Sequence, residues 1–457
     1  MTAAHYDAIV VGAGQAGPPL AGRLTAAGQT VAVIERKLVG GTCVNSGCIP
    51  TKTLVASAHT AHTARRGADY GVSTGDVAVD MAKVKARKDG IVTGDRSGVE
   101  SWLEGMPGGT LIRGHARFED PHTLRVGDEV VQADRIFLNV GGRAVVPDLP
   151  GLSDIDYLTN VGILELDTVP EHLVIIGGSY IGLEFAQMYR RFGAGVTVLE
   201  RGPRLTPRED EDVSATIEEI LTTEGITVVT GATGLRFTKR AKGFEVIPTD
   251  GAQPIAGSHL LVAVGRRPNT DDLGLDLAGV EVDGRGYIVV DDQLRTSAEH
   301  IWAMGDCNGK GAFTHTSYND FEIVAANLLD DDPRRVSDRV PTYALYIDPP
   351  LGRAGMTVEQ VRASGRRALV GKRPMTRVGR AVEKGETQGF MQIVVDADTE
   401  EILGAAILGV GGDEVIHSIL DIMSARLPYT AISRTMHIHP TVSELVPTML
   451  QEMIPLT

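Results

Sequence analysis

A strand–glycine turn–helix–strand pattern occurs twice in this chain of 457 residues, and it restricts the fold more than any other feature. The four parts of the first copy lie, in order, at residues 6–11, 12–17, 18–27 and 31–35. The same parts of the second copy lie at residues 172–176, 177–182, 183–192 and 196–200. Strands that are joined by a helix lie parallel in one sheet, so the repeat predicts two α/β units with parallel sheets.

The glycine turns have the spacing of a dinucleotide-binding site. Gly12, Gly14 and Gly17 form the pattern G-x-G-x-x-G, in which bare backbone can approach a pyrophosphate at the N-terminus of the following helix. Gly177 and Gly182 keep the outer positions in the second turn, where a serine replaces the middle glycine. We therefore predict two Rossmann-like dinucleotide-binding domains.

Each copy ends its second strand with an acidic residue, Glu35 in the first and Glu200 in the second. A carboxylate at this position can bind the hydroxyls of a ribose and repels a 2′-phosphate. Two such units predict two nucleotide ligands, of which FAD and a nicotinamide dinucleotide are the simplest pair. Glu200 predicts a preference for NADH over NADPH, which the nearby Arg201 and Arg204 would soften. The alternative is a second unit that has lost its ligand and is only structural.

Two of the three cysteines, Cys43 and Cys48, lie between the glycine pair 40–41 and the segment Pro-Thr-Lys at 50–52. If a helix starts near residue 50, both thiols approach its N-terminus, where the helix dipole favours a thiolate. Residues five apart on an ideal helix point roughly 140° from each other, and a disulfide needs Cα atoms within about 7 Å. Either no bridge forms, or the backbone bends at residues 45–47.

The composition excludes several classes of partner. The chain has 44 basic and 59 acidic residues and a net charge of −15, which argues against binding to nucleic acid or to an anionic membrane. No apolar run reaches the roughly 18 residues that span a bilayer, and the N-terminus lacks the basic region of a signal peptide. We expect a cytoplasmic protein, in which a C-x4-C pair is catalytic rather than part of a disulfide framework.

The remaining pattern divides the chain into four segments, 1–151, 152–270, 271–340 and 341–457. Residues 58–103 read as helical, residues 110–118 and 123–131 as strands, and a Pro- and Gly-containing stretch marks the boundary near 151. The last segment alternates strand and helix patterns without a dinucleotide turn, which predicts a separate α+β domain.

Several motifs occur in the order seen in the pyridine nucleotide–disulfide oxidoreductases, and the chain resembles that family over nearly its whole length. The motifs are the two dinucleotide units together with GGTCVNSGCIPTK, VGRRPN, WAMGDC and HIHPTVSE. The family includes dihydrolipoamide dehydrogenase, glutathione reductase and mercuric reductase. The resemblance implies an FAD domain in two parts (1–151 and 271–340), an NAD(P)H domain (152–270), a redox-active disulfide and a C-terminal dimerisation domain (341–457) that forms a homodimer.

The resemblance also implies roles for single residues. Cys43 matches the interchange thiol that attacks the substrate, and Cys48 matches the charge-transfer thiolate that lies against the flavin. Lys52 matches the lysine near flavin N5, and Glu184 matches the acid that pairs with it. Tyr180 matches a tyrosine that covers the nicotinamide pocket.

In the C-terminal domain, His439 and Glu444 match the acid–base pair that one subunit lends to the disulfide of the other. Asp306 matches the aspartate that binds the ribityl chain of the flavin. The other residues that we expect at a cofactor are Gly41, Thr42, Gly114, Gly142 and Gly265. No metal site is expected, and Cys307 reads as a small buried residue.

The chain departs from two well-known members of the family. Residues 313–321 lack the H-x-A-x-x-E-G pattern of dihydrolipoamide dehydrogenases, and no cysteine pair follows Cys307 as in mercuric reductases. Mercuric reductases also commonly have a tyrosine where His439 stands. The Tyr-Asn-Asp-Phe segment at 318–321 is similar to the mercuric-reductase-like branch that includes reactive-chlorine resistance reductases.

We therefore expect a flavoenzyme that passes electrons from NAD(P)H through FAD to the Cys43–Cys48 disulfide. The acceptor would be a small disulfide, a thiol-reactive oxidant or a soft metal ion. One alternative is a dihydrolipoamide dehydrogenase of a multienzyme complex. An alternative of another class is a redox sensor without catalytic activity.

Overall fold

The computed structural model of the chain describes residues 3–249 and 251–456, so the outer ends of the predicted segments 1–151 and 341–457 lie outside the described residues. The elements of the first part are β1 (Ala4–Val11), α1 (Gly17–Ala26), β2 (Val31–Glu35), α2 (Gly41–Ser46), α3 (Cys48–Arg65), α4 (Met81–Glu104), β3 (Gly109–Arg113), β4 (Ala116–Asp120), β5 (Thr123–Val126), β6 (Glu129–Leu138) and β7 (Gly142–Ala144). Strands β1, β2, β3 and β6 lie parallel in the order β3-β2-β1-β6, and β5 and β4 extend the sheet antiparallel.

Three predictions in this part are wrong in detail. The helical stretch 58–103 is interrupted, because α3 ends at Arg65 and the chain then passes Gly71 and Gly75, both at positive φ, before α4 begins. The single strand predicted at 110–118 is two strands, β3 and β4, since Gly114 has φ +155 and turns the chain between them. The strand predicted at 123–131 is likewise divided, between β5 and β6.

The second part contains β8 (His172–Ile176), α5 (Tyr180–Phe192), β9 (Gly195–Leu199), α6 (Glu211–Thr223), β10 (Thr227–Val229), β11 (Arg236–Lys239), β12 (Phe244–Ile247), β13 (Ile255–Gly257), β14 (His259–Val262) and β15 (Arg266–Pro268). The parallel sheet has the order β10-β9-β8-β14, and β11, β12 and β13 form a small antiparallel sheet. Helix α5 ends at Gly193, whose φ of +117 suits glycine and stops the helix. The two parallel sheets confirm the predicted α/β class.

The chain then returns to the first sheet. Strand β16 (Ile301–Ala303) pairs parallel with β6, and α7 (Thr314–Leu329) packs against α1. This return places the segment after β16 beside the glycine turn that follows β1, although the two are about 300 residues apart in the sequence.

The last part contains β17 (Thr342–Leu345), β18 (Leu351–Gly355), α8 (Val358–Ala363), β19 (Ala368–Pro374), α9 (Gly379–Glu383), β20 (Phe390–Asp396), β21 (Ile402–Leu408), α10 (Gly412–Ser424), α11 (Thr430–Ser433), α12 (Leu445–Gln451) and β22 (Ile454–Pro455). Its strands form an antiparallel sheet in the order β17-β18-β21-β20-β19-β22. The central strands β20 and β21 are buried on both faces. Among the described residues, no helix is long and apolar enough to cross a membrane.

Candidate active site

The two cysteines lie on either side of a break between two helices. Cys48 is the first residue of α3, so the helix that we expected to start near residue 50 begins two residues earlier, and Cys43 lies inside the short helix α2 before it. Gly47 separates the helices with φ −135 and ψ −114. A Cβ at Gly47 would lie 2.9 Å from the Thr42 carbonyl oxygen, which only glycine tolerates. The bend brings the two free thiols close enough for a hydrogen bond between them.

This pair is electrostatically asymmetric. The hydrogen bond from the Cys43 thiol, helped by the Thr314 hydroxyl and the charge of Lys52, lowers the pKa of Cys48 to about 6 although burial opposes the shift. The same hydrogen bond, followed by burial, raises the pKa of Cys43 far above its usual range. At neutral pH, Cys48 is therefore the thiolate and Cys43 keeps its proton.

Thr314, at the start of α7, is a site residue that the sequence analysis missed. Its Oγ1 lies 3.1 Å from Cys48 Sγ, across a sequence separation of 266 residues. The only signal was its place in the segment that differs from dihydrolipoamide dehydrogenases, and that signal did not indicate a contact with the thiol.

We expect Thr314→Val to raise the pKa of Cys48 by roughly one unit, which corresponds to about 1.4 kcal/mol for a lost hydrogen bond to a charged group. In the reduced flavoprotein, the long-wavelength absorbance that needs the thiolate should be present above a midpoint near pH 6 and lost below it. The variant should shift that midpoint upward, while Thr314→Ser, which keeps the hydroxyl, should not. An unchanged midpoint in the valine variant would show that Thr314 does not support the thiolate.

Lys52 and Glu184 form a close ion pair beside the cysteines. Lys52 follows Cys48 by one turn of α3, and its Nζ lies 2.7 Å from Glu184 Oε2 on α5. The other oxygen of Glu184 accepts the backbone N–H of Tyr346 at 3.0 Å, and the Tyr346 ring centroid lies 4.5 Å from Lys52 Nζ. Contacts from three parts of the chain therefore hold the ammonium in place near the thiolate.

The first glycine turn has the shape of a pyrophosphate site. A Cβ on Gly12 would lie 2.3 Å from the Asn139 carbonyl oxygen, and one on Gly41 would lie 2.8 Å from Gly14 Cα. Helix α1 begins at Gly17, whose N–H donates to Asn139 Oδ1 at 3.2 Å, and Pro18 and Pro19 after it carry no N–H, so an anion has to be met by the backbone of the turn itself. These residues fit FAD, because a turn of bare backbone, at the positive end of the α1 dipole, lies at the place where its pyrophosphate would lie.

Glu35, at the end of β2, is also positioned by the backbone. Its carboxylate accepts the N–H groups of Ala13 at 2.9 Å and Lys37 at 2.7 Å. Gly114 lies beside it, since the Gly114 N–H donates to the Glu35 carbonyl at 3.0 Å. The structure thus brings these two predicted residues together at one end of the first turn.

Arg266 joins three residues that the sequence analysis assigned to the cofactor. Its Nη2 donates to Asp306 Oδ2 at 3.1 Å and to the Gly142 carbonyl at 2.7 Å, and it lies 3.5 Å from Thr42 Oγ1. Arg266 belongs to the VGRRPN motif, but the sequence analysis gave it no role. Its guanidinium adds a positive charge to a site that would hold a diphosphate.

The second glycine turn repeats the same geometry. Gly177 has φ +111, and a Cβ on Gly182 would lie 2.0 Å from the Gly177 carbonyl oxygen. The Glu200 carboxylate accepts the N–H groups of Gly178 at 2.7 Å and Gly202 at 2.6 Å. Gly265, with φ +135, has open space where its side chain would be. This site can accept a second dinucleotide.

Tyr180 follows this turn as the first residue of α5. Its hydroxyl donates to Glu209 Oε1 at 2.6 Å. Burial raises the pKa of the Tyr180 phenol far above its usual range, so it stays protonated. Tyr180 precedes Glu184 by one helical turn and therefore lies between the second glycine turn and the Lys52 ion pair.

His439 and Glu444 pair with each other, and the histidine lies at the surface. Nδ1 of His439 lies 2.8 Å from Glu444 Oε2, and the His439 side chain is 80% exposed. Met436 and Ile438 beside it are 95% and 79% exposed. Among the described residues, no hydrogen bond or ion pair joins His439 to Cys43 or Cys48.

Comparisons with known proteins cover nearly the whole chain. The profile of the pyridine nucleotide-disulphide oxidoreductases matches residues 6–320, and that of their dimerisation domain matches residues 341–450. A probable pyridine nucleotide-disulfide oxidoreductase, RclA of Escherichia coli K12, is 38% identical over 96% of this chain and 97% of its own. The mercuric reductase of Streptomyces lividans is 34% identical over 97% and 96%, and the dihydrolipoyl dehydrogenase of Thermus scotoductus is 34% identical over 96% and 95%.

Solved structures show the same similarity. The structure of the HOCl-induced flavoprotein disulfide reductase RclA from Escherichia coli matches with a TM-score of 0.90 and 36% identity over 98% of this chain and 100% of that one. A Cu(II) complex of the same reductase matches with a TM-score of 0.89 and 36% identity over 97% of this chain and 99% of that one.

Proposed function

This chain belongs to the pyridine nucleotide-disulphide oxidoreductases, a family of FAD-dependent enzymes that use a pyridine nucleotide, and on that premise we propose a specific reaction for it. It is a cytoplasmic homodimer that takes electrons from NADH to the Cys43–Cys48 disulfide and passes them to a small thiol-reactive oxidant, a small disulfide or a soft metal ion. The observation that carries the proposal is the asymmetric pair, with the Cys48 thiolate beside the Lys52–Glu184 ion pair and a protonated Cys43.

Bound FAD would supply hydride acceptance from the dihydronicotinamide and electron donation to the disulfide. Residues on both glycine turns bind the two dinucleotides, and the Arg266–Asp306 pair orients the first. Lys52, fixed by Glu184, keeps a positive charge near Cys48 and stabilises its thiolate. The Tyr180 ring closes the space between the second turn and this ion pair.

The steps of thiol–disulfide exchange follow from the different protonation of Cys43 and Cys48. Cys43 must first lose its proton, and His439 of the second subunit takes it as a base. With a disulfide substrate, the Cys43 sulfur bonds to one substrate sulfur, the substrate S–S bond breaks, and His439 returns the proton to the first thiol that leaves. The Cys48 thiolate then attacks the Cys43 sulfur, releases the second thiol, which takes a proton from water, and restores the Cys43–Cys48 bond.

A copper ion is a second candidate for the acceptor. The related RclA has been solved as a Cu(II) complex, and thiolate ligands favour Cu(I), the softer ion that forms when Cu(II) is reduced. In this case the reduced pair gives one electron to each of two Cu(II) ions, forms the Cys43–Cys48 bond and releases the proton of Cys43.

The experiment that tests this function is a stopped-flow screen of acceptors against the enzyme after anaerobic reduction by NADH. Reoxidation by small disulfides, chlorine-derived oxidants or Cu(II), lost in Cys43→Ser, would support the proposal. Turnover with NAD⁺ and dihydrolipoamide that exceeds every other reaction would instead support a dihydrolipoamide dehydrogenase. Flavin reduction without reoxidation by any acceptor would support a redox sensor.

We predict that kcat/KM is at least about tenfold higher for NADH than for NADPH, a difference of about 1.4 kcal/mol. Glu200 would repel a 2′-phosphate, and Arg204 is engaged with the carbonyl oxygens of Pro207 and Glu209, which limits its ability to compensate. Glu200→Gln should reduce the ratio, whereas the matched change Glu211→Gln at the exposed start of α6 should leave it unchanged. A higher kcat/KM for NADPH in the wild type would contradict the assignment.

A further inference from the structure

The carboxylate of Glu209 is buried at a junction between domains, and the function described above makes no use of it. Its side chain is 0% exposed. Glu209 Oε1 accepts the Tyr180 hydroxyl at 2.6 Å and the Tyr343 hydroxyl at 2.7 Å. Tyr180 lies on α5 of the nucleotide-binding part and Tyr343 on β17 of the C-terminal part. One oxygen atom therefore joins two tyrosines from different domains.

This carboxylate has few other partners. Among the described residues Glu209 Oε2 makes no hydrogen bond, and Glu209 is ion-paired with Arg353, whose Nη1 lies 3.8 Å away. The other guanidinium nitrogen, Nη2, bonds the neighbouring Asp210 at 3.2 Å. A buried carboxylate depends on the hydrogen bonds that it accepts. The Tyr180 and Tyr343 hydroxyls are thus a large part of what stabilises this charge.

Both tyrosines are held as hydrogen-bond donors. Burial raises the pKa of the Tyr180 phenol and that of the Tyr343 phenol, so neither is ionised near neutral pH. Hydrogen bonds between a hydroxyl and a carboxylate are about twice as strong as those between neutral groups. The Tyr180 ring is therefore fixed by a strong bond at its hydroxyl end.

The position of the Tyr180 ring makes its hydrogen bond to Glu209 relevant to the binding of a dinucleotide. The Tyr180 and Tyr343 ring centroids are 5.5 Å apart, and Phe313 stacks on Tyr343 at 5.5 Å. The residue after Phe313 is Thr314, which contacts Cys48. Tyr180 itself follows the second glycine turn and precedes Glu184 by one helical turn. A nicotinamide bound at that turn has to pass the Tyr180 ring to approach the redox centre.

We propose that Glu209 is a positioning residue that latches Tyr180 across the entry to the nicotinamide site, so that binding requires the Tyr180–Glu209 hydrogen bond to break, and that Tyr343 competes with Tyr180 for the same oxygen of Glu209. The inference rests on the proposed function, since it takes a nicotinamide dinucleotide as the ligand that enters. The apparent affinity of a site that is closed most of the time is lowered by the fraction of molecules in which it is open. Weakening the latch should therefore tighten binding.

The latch predicts that variants of Glu209 and Tyr180 change the Kd of the dinucleotide in one direction and that a variant of Tyr343 changes it in the other. Glu209→Gln replaces the carboxylate by an amide, and Tyr180→Phe removes one hydroxyl, so both weaken closure and should lower the Kd of the dinucleotide about fivefold. Tyr343→Phe removes the donor that shares Oε1 with Tyr180, which strengthens the remaining bond and should raise Kd. If the three residues only supported the fold, all three variants would change Kd in the same direction.

The test uses the FAD-loaded enzyme and two measurements. Calorimetry with NAD⁺ gives the binding constant without turnover, and stopped-flow reduction of the flavin by NADH gives an apparent Kd and a limiting rate. In Glu209→Gln we expect Kd to fall about fivefold while the limiting rate stays within about twofold of the wild type. The matched control is Asp210→Asn, because Asp210 also pairs with Arg353 but contacts neither tyrosine, and its Kd should not change.

Tyr180→Phe keeps the proposal falsifiable if Glu209→Gln folds poorly, and where Glu209→Gln folds, the double variant Tyr180→Phe/Glu209→Gln adds a second check. Both changes break the same bond, so the double variant should bind NAD⁺ no more tightly than Tyr180→Phe alone. Unchanged or weaker binding in Tyr180→Phe, or additive tightening in the double variant, would overturn the latch. Such results would not contradict the proposed function, provided that NADH reduces the flavin of the wild-type enzyme. A wild-type flavin that neither NADH nor NADPH reduces would overturn the function itself.

Discussion

A mixed dimer with Cys43→Ser in one chain and His439→Ala in the other should recover about half of the wild-type activity. Each mutant homodimer should stay nearly inactive. If one subunit lends His439 to the disulfide of the other, one site of the mixed dimer carries both defects and the other site carries neither. The two chains can be co-expressed under different tags, and acceptor-dependent NADH oxidation by the purified mixed dimer measures the recovery.

The structure supports this expectation through the surroundings of His439. The imidazole is 80% exposed and bonds Glu444 through Nδ1, which leaves Nε2 directed to a group outside this pair. Pairing at Nδ1 selects the tautomer that a base needs, as an orienting carboxylate does in other catalytic triads. The neighbours Met436 and Ile438 present apolar side chains at the same surface, which is a feature of subunit interfaces.

Two controls test whether His439 acts on the disulfide of the other subunit or on the disulfide of its own. His437→Ala, which removes a nearby histidine that bonds the Ser443 carbonyl instead of a carboxylate, should keep most of the activity. A mixed-tag dimer with Cys43→Ser in both chains should show none. If the Cys43→Ser/His439→Ala dimer is no more active than the two homodimers, each subunit uses its own histidine and the composite site is wrong.

Replacing either redox cysteine should lower turnover about a thousandfold or more, but the two variants should differ in their spectra. Cys48→Ser should abolish the long-wavelength charge-transfer band of the reduced enzyme. Cys43→Ser should show that band without any oxidant. The reason is the asymmetry of the pair, since Cys48 has a pKa of about 6 and forms the thiolate while Cys43 keeps its proton.

The spectra can be recorded anaerobically at pH 8 and pH 5. At the lower pH the band of the wild type should fade, because Cys48 is protonated below its pKa of about 6. Cys307→Ala provides the control, since this third thiol is buried away from the pair and should leave the spectrum and turnover unchanged. A band in Cys48→Ser that is missing from Cys43→Ser would reverse the roles of the two cysteines.

Much of the fold was predictable because it depends on local patterns. In both copies an apolar run followed by a turn with glycines five residues apart marks a buried strand that leads into a helix, and both copies fold as parallel units around β1–β2 and β8–β9. The errors occurred where pattern and backbone disagree. The helical pattern at 58–103 continues through Gly71 and Gly75, but the backbone there takes positive φ and the helix ends.

Parts of the candidate site were also predictable from the sequence. The motif around Cys43 and Cys48 required either a bend or two separate thiols, and the structure places the bend at Gly47. The pairs Lys52–Glu184 and His439–Glu444 were expected from the family resemblance, and the structure brings the members of each pair to 2.7 Å and 2.8 Å. Their roles in catalysis remain predictions.

The contacts that tune the site were decided only by the tertiary structure. Thr314 reaches Cys48 across 266 residues, and Tyr343 reaches Glu209 across 134. Such pairs form because the chain returns to its first sheet at β16 and because β17 packs against the nucleotide-binding part. Periodicity and motif spacing describe a segment and its near neighbours, so they determine that there are two dinucleotide units and a cysteine pair. Which hydroxyl supports the thiolate, and which carboxylate holds Tyr180, depends on how distant segments pack.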